Sequence, residues 1–285
     1  MINFIAEVSS NHNQSLERCL KFVDTAADIG CNSVKFQLFK IDQLFSTEVL
    51  SQSKEHMDRA NWELPFEFVP KIYERCQKKK ISFSCTPFYI DAVDELLPYV
   101  DFYKVASYEL LWDELLAACA QTGKPVTLST GMANLDEIAH AVTTLRNYGA
   151  SDITLLHCVS AYPTPMEECN LSVIETLRNR FKVKVGWSDH SVSPAVISRA
   201  VHHWNASAIE FHLDLDGTGA EFKSGHCWLP DAIEPVINSC KNLELIDGKP
   251  TAGLSPSEQA DRNWRADPSD GLRPLIHIRK AFSIE

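Results

Sequence analysis

Eight short apolar segments, separated by helical patterns, end in polar or ionisable residues, and this repeat most constrains the fold. The first segment is INFIAE, which ends at Glu7, and the last is SAIEFH, which ends at His212. Strands that alternate with helices form parallel sheets. Reactive groups at the carboxyl ends of eight such strands are typical of a (β/α)8 barrel, which carries its active site there. The sequence therefore predicts an α/β TIM barrel and an enzyme.

An open doubly wound sheet is the alternative architecture for the same alternation. That fold usually has a glycine-rich turn after its first strand, where a nucleotide binds. Here the turn is SSNHN at 9–13, which contains no glycine, so the barrel is favoured. We place the catalytic barrel at 1–248. The polar segment 249–285 holds little apolar material, and we expect it to be an extension packed on the barrel.

The overall charge and the apolar runs exclude several partners. A net charge of −11 argues against a nucleic-acid-binding surface, which is normally basic. No apolar run approaches the roughly 20 residues of a membrane span, and the N-terminus reads as a strand rather than a signal peptide. The nine cysteines are scattered without a CxxC pair. Such spacing favours reduced thiols in a cytoplasmic protein over a disulfide framework or a zinc ribbon.

A long insertion at about 40–64 follows the second predicted strand and contains Trp62. Loops of this length are uncommon in compact domains and are often lids or binding segments. The alternative is a solvated excursion with no role in a site.

Two histidines at the ends of neighbouring strands suggest a metal site. His190 follows the seventh strand and His212 ends the eighth, so both reach the same rim. Paired imidazoles suit a divalent transition metal. A single strand-end histidine is more often a hydrogen-bonding residue, and His226 is a loop residue that could also enter the site. Nearby oxygen candidates, as ligands or supports, are Asp189, Glu210, Asp214 and Glu221.

A cationic and hydroxyl-rich group predicts an anion site. Lys35 and Lys104 lie inside apolar strands, where an unpaired lysine is costly. Lysines and hydroxyls that converge at one rim would bind phosphate or carboxylate. Pairing of the lysines with strand carboxylates such as Glu7 is the alternative, and the two interpretations are compatible. The hydroxyls are Ser107, Ser129, Thr130, Ser160 and Ser188.

Other strand-end residues are candidates for acid–base chemistry or for hydrogen bonds to sugar hydroxyls. They are Glu7, Gln37, Asn13, Tyr162 and Glu109. Cys85 and Cys158 also lie near strand ends. A cysteine nucleophile is the alternative there, although small buried strand cysteines are common.

Seven motifs, in order along the chain, resemble the sialic acid synthase (N-acetylneuraminate synthase) family. They are AEVSSNHNQ, VKFQLF, SCTPF, KVAS, LSTGM, LHCVSAYPTP and GWSDHS, and the resemblance covers about 4–230. It implies a (β/α)8 barrel that condenses phosphoenolpyruvate with N-acetylmannosamine or a related sugar and releases phosphate. It also implies a divalent metal, usually manganese, with Mg²⁺ or Co²⁺ as alternatives.

The resemblance assigns roles by position. His190 and His212 match the metal ligands, and Glu7, Gln37 and Tyr162 match sugar-side positions. Glu221 or His226 is expected to fill an acidic role in GTGAEFKSGHCWLP, which replaces the family's usual segment after His212. The phosphoenolpyruvate site is matched by Lys35, Thr86, Lys104, Ser107, Ser129 and Ser188, with Ser160 where many members have asparagine.

Full-length members of the family also carry a C-terminal antifreeze-like domain, which donates an arginine to the partner subunit's sugar site. We expect the chain to end before such a domain, and to form a homodimer. Arginines of the tail are then candidates for the missing contact, and they are Arg262, Arg265 and Arg273.

The sequence thus predicts a metal-dependent synthase that joins phosphoenolpyruvate to an aldose or N-acetylhexosamine to give a sialic-type acid. The first alternative is a Schiff-base aldolase that uses Lys35 or Lys104. The second is a barrel that binds sugar acids without catalysis.

Overall fold

A closed barrel of eight parallel strands dominates the computed structural model, which describes residues 2–249 and 252–282 except the side chains of Leu243 and Glu244. Each strand pairs with the next, and β1 closes the ring by pairing with β8. The predicted TIM barrel is confirmed. The strands are β1 (Asn3–Glu7), β2 (Ser33–Leu38), β3 (Ser82–Pro87), β4 (Phe102–Val105), β5 (Val126–Ser129), β6 (Ile153–Cys158), β7 (Lys184–Asp189), β8 (Ala208–Leu213) and a short β9 (Cys227–Trp228), which pairs with the end of β8.

Strand register determines which side chains meet inside the barrel. Glu7 lies opposite Lys35 on one side and opposite His212 on the other. Because side chains alternate along a strand, Ile5 lies one layer below Glu7 on the same face. There Ile5 packs with Ala208 of the adjacent β8 and with Leu156 of β6 in a buried apolar cluster. An apolar floor therefore supports a polar layer at the carboxyl ends.

Amphipathic helices surround the barrel and begin at local capping signals. The side chain of Ser15 accepts a hydrogen bond from the backbone of Arg18, and Asn134 and Glu137 form a capping box. The helices of this unit are α1 (Leu16–Asp28), α2 (Ile41–Leu44), α3 (Thr47–Gln52), α4 (Lys54–Asp58), α5 (Val69–Lys79), α6 (Asp91–Leu96), α7 (Asp113–Gln121), α8 (Leu135–Asn147), α9 (Val173–Phe181), α10 (Pro194–His202) and α11 (Pro230–Lys241).

The insertion after β2 is more regular than the expected loop. It consists of α2, α3 and α4 followed by a 3₁₀ turn, Arg59–Trp62. Glu63 accepts a hydrogen bond from the backbone N–H of Ile41 at 2.6 Å and so ties the two ends of the segment together. Gln14 donates to the backbone carbonyls of Ala60 and Glu63. These contacts hold the insertion in a defined conformation against the loop after β1.

The chain divides into two compact units between Asn242 and Leu243, earlier than the predicted boundary at 248. The second unit contains α12 (Leu243–Asp247) and α13 (Ile276–Arg279). Within it, Asp267 accepts hydrogen bonds from Ser269 and from the backbone of Ile276, which closes a local turn. Its packing on the barrel stays a prediction.

The structure also describes the cysteines, which we expect to be reduced, and the lengths of the helices, which bear on a possible membrane span. All nine cysteines are free and buried. Within residues 2–249 and 252–282, no helix is both long and apolar enough to cross a membrane.

Candidate active site at the carboxyl ends of the strands

A cavity of about 750 Å³ lies at the carboxyl ends of the barrel strands. Most of the predicted site residues line it, so residues of the predicted metal site and of the predicted anion site share one cavity. Thr86 lies directly behind the wall, where its hydroxyl is 3.1 Å from Nζ of Lys35. The predicted residues in the wall are Glu7, Lys35, Gln37, Lys104, Ser107, Ser129, Tyr162, Ser188, His190, His212 and Glu221.

Two buried lysine–glutamate pairs occupy one side of the cavity. Lys35 forms an ion pair with Glu7 on the neighbouring strand. Lys104 reaches across the barrel to Glu210, with 3.4 Å between Nζ and Oε1. Ser188 donates a hydrogen bond to the same carboxylate at 3.1 Å. The expected pairing of both lysines with strand carboxylates is therefore confirmed.

The two lysines differ in how the barrel affects their charge. Burial disfavours the charged form of both side chains. In Lys35 the carboxylates of Glu210 and Glu7 outweigh burial and raise its pKa. In Lys104 burial prevails, helped by the charge of Lys35, and lowers its pKa. An anion bound beside Lys104 would offset this loss.

Serine hydroxyls form a cradle beside the lysines. Oγ of Ser129 and Oγ of Ser160 are buried, and neither has a hydrogen-bond partner in the described part of the chain. Gly131 donates its backbone N–H to Oγ of Ser107 at 3.0 Å. A Cβ at position 131 would come within 2.7 Å of that oxygen and would also collide with Ser160. Glycine thus keeps open a space lined by hydroxyls that need partners, as an anion site requires.

Burial and the lysines also set the charge state of Glu210. Burial favours the protonated carboxyl, but Lys104 and Lys35 outweigh it and lower its pKa. From the sequence we considered Glu210 only as a ligand or support for a metal. It alternates with His212 in AIEFHL, and this two-residue spacing was the signal that both side chains enter the barrel.

Aromatic and imidazole rings form a second cluster in the cavity wall. The ring centroids of His190 and His212 are 5.2 Å apart, and those of His212 and His226 are 4.6 Å apart. Tyr162 lies 4.3 Å from the ring of His190 and 4.9 Å from that of His226. The neighbouring strand ends thus bring the two predicted histidines together, and a loop adds His226.

Four side chains of this cluster offer a metal-binding group. The ligand atoms of His212, Glu221, His226 and Cys227 all lie within 4.8 Å of one another. Nδ1 of His226 is buried and has no hydrogen-bond partner among the described residues. Imidazole, carboxylate and thiol donors suit a divalent transition metal, so the group fits such an ion. His190 is not in this group, and its role as a ligand stays a prediction.

The imidazoles of this cluster differ in their protonation: burial lowers the pKa of His226, whereas in His212 burial is outweighed by Glu221, which raises the pKa. Nδ1 of His190 lies 2.9 Å from the carbonyl oxygen of Val159, so it carries the proton and leaves Nε2 unprotonated. Burial, aided by the charge of His212, lowers the pKa of His190 to about 3. Burial favours protonated Glu221, but hydrogen bonds from His212 and His226 outweigh it and lower its pKa. A metal binds the neutral imidazole, so an ion at this group would displace the proton that Glu221 favours on His212.

Two of the carboxylates considered as metal ligands or supports, Asp189 and Asp214, bind other protein groups instead. Asp189 accepts hydrogen bonds from the indole N–H groups of Trp187 and Trp228, each at 3.0 Å. Asp214 binds the guanidinium of Arg18 and the backbone N–H of Gly219. These carboxylates hold the loops after β7 and β8, which leaves Glu210 and Glu221 facing the cavity.

The predicted sugar-side residues line the same cavity as part of the insertion. Gln37 donates to Glu7 at 2.9 Å, which orients both side chains. Tyr162 is 41% exposed and so can contact a ligand directly. The insertion adds residues that the sequence alone did not single out as site residues, namely Leu44, Phe45, His56 and Arg59.

Glu109 in the cavity wall leads to a prediction about pH. Burial raises its pKa to about 7, despite the opposing effect of Lys104. Unfolding would return the carboxyl to its ordinary pKa near 4.5. The folded state therefore keeps a proton that the unfolded state releases, and stability should fall as pH rises from about 4.5 through 7. Glu109→Gln, which mimics the protonated form, should remove this part of the pH dependence.

Urea unfolding of both proteins between pH 5 and 8.5 measures this effect. The variant should gain stability relative to the wild type as pH rises. A constant difference across the range would contradict the assignment to Glu109.

The chain matches a known protein family over most of its length. A family model described as the NeuB family matches residues 22–252. The chain belongs to the NeuB family. The resemblance to sialic acid synthases that the sequence motifs indicated is therefore confirmed.

Relatives in this NeuB family include two synthases from Campylobacter jejuni. N,N'-diacetyllegionaminic acid synthase is 34% identical over 91% of this chain and 81% of its own length. A pseudaminic acid synthase is 33% identical over 91% of this chain and 78% of its own length. The crystal structure of N-acetylneuraminic acid synthetase from Leptospira borgpetersenii superposes with a TM-score of 0.80. It has 31% identity and covers 91% of this chain and 90% of that one.

Proposed function

We propose that this NeuB family member is a synthase that condenses phosphoenolpyruvate with an N-acetylmannosamine-like aldose and releases phosphate. The product would be a nonulosonic, sialic-type acid. One observation carries the proposal: a buried lysine–serine group and an imidazole–carboxylate group line a single cavity. The names of the relatives, which are synthases of three such acids, support the class of product. A homodimer in the cytoplasm stays a prediction.

The lysine–serine group would hold phosphoenolpyruvate. Lys35 and Lys104 supply positive charge, and Gly131 leaves room for the phosphate group. Charge-assisted hydrogen bonds of this kind both bind and orient an anion. The hydroxyl donors would be Thr86, Ser107, Ser129, Ser160 and Ser188.

The imidazole–carboxylate group would hold a divalent metal and the aldehyde end of the sugar. From the sequence we propose His190 and His212 as ligands, and Glu221 and His226, whose ligand atoms lie within 4.8 Å of that of His212, would complete the set. Manganese is the proposed ion, with Mg²⁺ or Co²⁺ as alternatives. A bound divalent metal supplies Lewis-acid polarisation of a carbonyl oxygen.

The proposed reaction forms one carbon–carbon bond and one carbon–oxygen bond to water, breaks the carbon–oxygen bond to phosphate, and converts the aldehyde oxygen to a hydroxyl with a proton that the water supplies. C3 of phosphoenolpyruvate attacks the aldehyde carbon, water adds to C2, and phosphate leaves from the tetrahedral intermediate. Glu210, ionised beside Lys104, would accept a proton from that water. Glu7 and Gln37 would orient the sugar hydroxyls, while Tyr162 covers the histidines.

A Schiff-base aldolase is the second candidate, because one observation favours it. The pKa of Lys104 is lowered by burial, and a neutral amine is the nucleophile that such enzymes need. Its ion pair with Glu210 disfavours this role, since a paired lysine stays charged.

Phosphate release from phosphoenolpyruvate tests the proposal. Each aldose and N-acetylhexosamine of a panel is incubated with the enzyme, phosphoenolpyruvate and Mn²⁺. We expect release that depends on one class of N-acetylated aldose, and no protein adduct after borohydride treatment with pyruvate. A reducible lysine adduct without phosphate release would favour the aldolase. Ligand binding without either result would favour a non-catalytic barrel.

A further inference from the structure

Arg59 of the insertion lies in the wall of the cavity with its cation against two aromatic rings. It begins the 3₁₀ turn Arg59–Trp62. Its guanidinium carbon is 5.7 Å from the centroid of the Phe45 ring and 5.4 Å from that of Trp62. Phe45 and Trp62 line the same cavity. Stacking on aromatic faces holds a planar guanidinium in a defined orientation.

The guanidinium has an unused donor. Nε of Arg59 is buried, and no acceptor for it exists among the residues that the structure describes. Within the described ranges, Nη2 makes one long contact, 3.5 Å to Glu55, whose side chain is 80% exposed. A buried N–H group without a partner is unfavourable, so a ligand that supplies an acceptor oxygen there gains affinity.

The charge around Arg59 favours a neutral acceptor over a phosphate. Glu55 offsets part of the positive charge and would repel a second anion. The aromatic faces of Phe45 and Trp62 suit a small apolar group beside the acceptor. An acylamino group has both parts, because its carbonyl oxygen accepts a hydrogen bond and its methyl group is apolar.

We propose that Arg59 determines the choice of aldose by donating its Nε–H to the acyl carbonyl of an acylamino substituent. The methyl group of that substituent packs against Phe45 and Trp62. The assignment rests on the proposed synthase function and adds a specificity-determining residue from this chain's own insertion. It assigns no part in the bond-forming steps to Arg59.

Arg59→Met and Arg59→Lys test this assignment. Methionine keeps the length without any donor, and lysine keeps the charge without the planar fork. Arg75→Met is the matched control, because Arg75 has a similar exposed fraction, 39% against 35%, and a similar long contact, 3.6 Å to Asp24. Arg75 lies on α5, outside the residues that line the cavity.

The measurement is kcat/KM for the best acylamino aldose of the panel and for the same aldose with a hydroxyl in place of that group. In Arg59→Met the ratio of the two should fall about tenfold or more, and Arg59→Lys should recover little of it. The KM for phosphoenolpyruvate and the rate with the hydroxy aldose should stay near the wild-type values. Arg75→Met should leave the ratio unchanged.

Other outcomes overturn the assignment. An equal loss with both aldoses would show that Arg59 supports the fold of the insertion instead. A selective loss with a phosphorylated aldose would show that it reads phosphate. Phosphate release with an unchanged ratio of the two kcat/KM values in Arg59→Met would refute the role of Arg59 but not the synthase function. No phosphate release with any aldose would refute the synthase function, and this assignment with it.

Discussion

Lys104→Met should raise the KM for phosphoenolpyruvate by about tenfold to a hundredfold, because it removes one or two charge-assisted hydrogen bonds to the anion. It should also lower the free energy of unfolding by about 3–5 kcal/mol, since breaking a buried ion pair leaves one charge unpaired. Here the group that loses its ion-pair partner is Glu210, which keeps the hydrogen bond from Ser188 and the influence of Lys35, and both side chains of the pair are at most 4% exposed. Steady-state kinetics and urea unfolding measure the two effects.

A double variant separates binding from stability. Lys104→Met with Glu210→Gln removes both charges, so it should regain most of the lost stability and none of the phosphoenolpyruvate affinity. Lys184→Met is the control, because Lys184 makes an exposed ion pair with Asp152, and such pairs contribute less than about 1 kcal/mol. An unchanged dependence on phosphoenolpyruvate in Lys104→Met would refute the anion site.

Removal of divalent metal by a chelator should reduce phosphate release at least about a hundredfold, because Lewis-acid polarisation contributes several kcal/mol to such a barrier. Mn²⁺ should restore the rate. His212→Ala should abolish the restoration, since His212 belongs both to the pair predicted from the sequence and to the group of side chains in the structure.

Two further variants decide between those ligand sets, with calorimetric Mn²⁺ titration as a second readout. His190→Ala tests the predicted pair, and His226→Ala tests the group with Glu221. His140→Ala is the control, because His140 is exposed and pairs with Asp113. Full activity of a metal-free His190→Ala/His212→Ala protein would exclude the metal site.

The sequence alone determined the barrel and the inward polar layer. Strand and helix periods are local properties, and a parallel barrel directs every strand carboxyl end to one rim. The meeting of Lys35 with Glu7 followed from this, because the two strands are neighbours. The closeness of His190 and His212 followed for the same reason.

Only the tertiary structure decided the contacts that cross the barrel or depend on a loop. Lys104 on β4 meets Glu210 on β8, and these strands are not neighbours, so their distance depends on how the ring closes. Glu221 and His226 reach His212 because the chain after β8 folds back and pairs as β9. The conformation of the insertion brings Arg59 to the cavity wall. The conformations of such loops depend on many weak contacts between segments that are distant in the sequence, so no local sequence pattern predicts them.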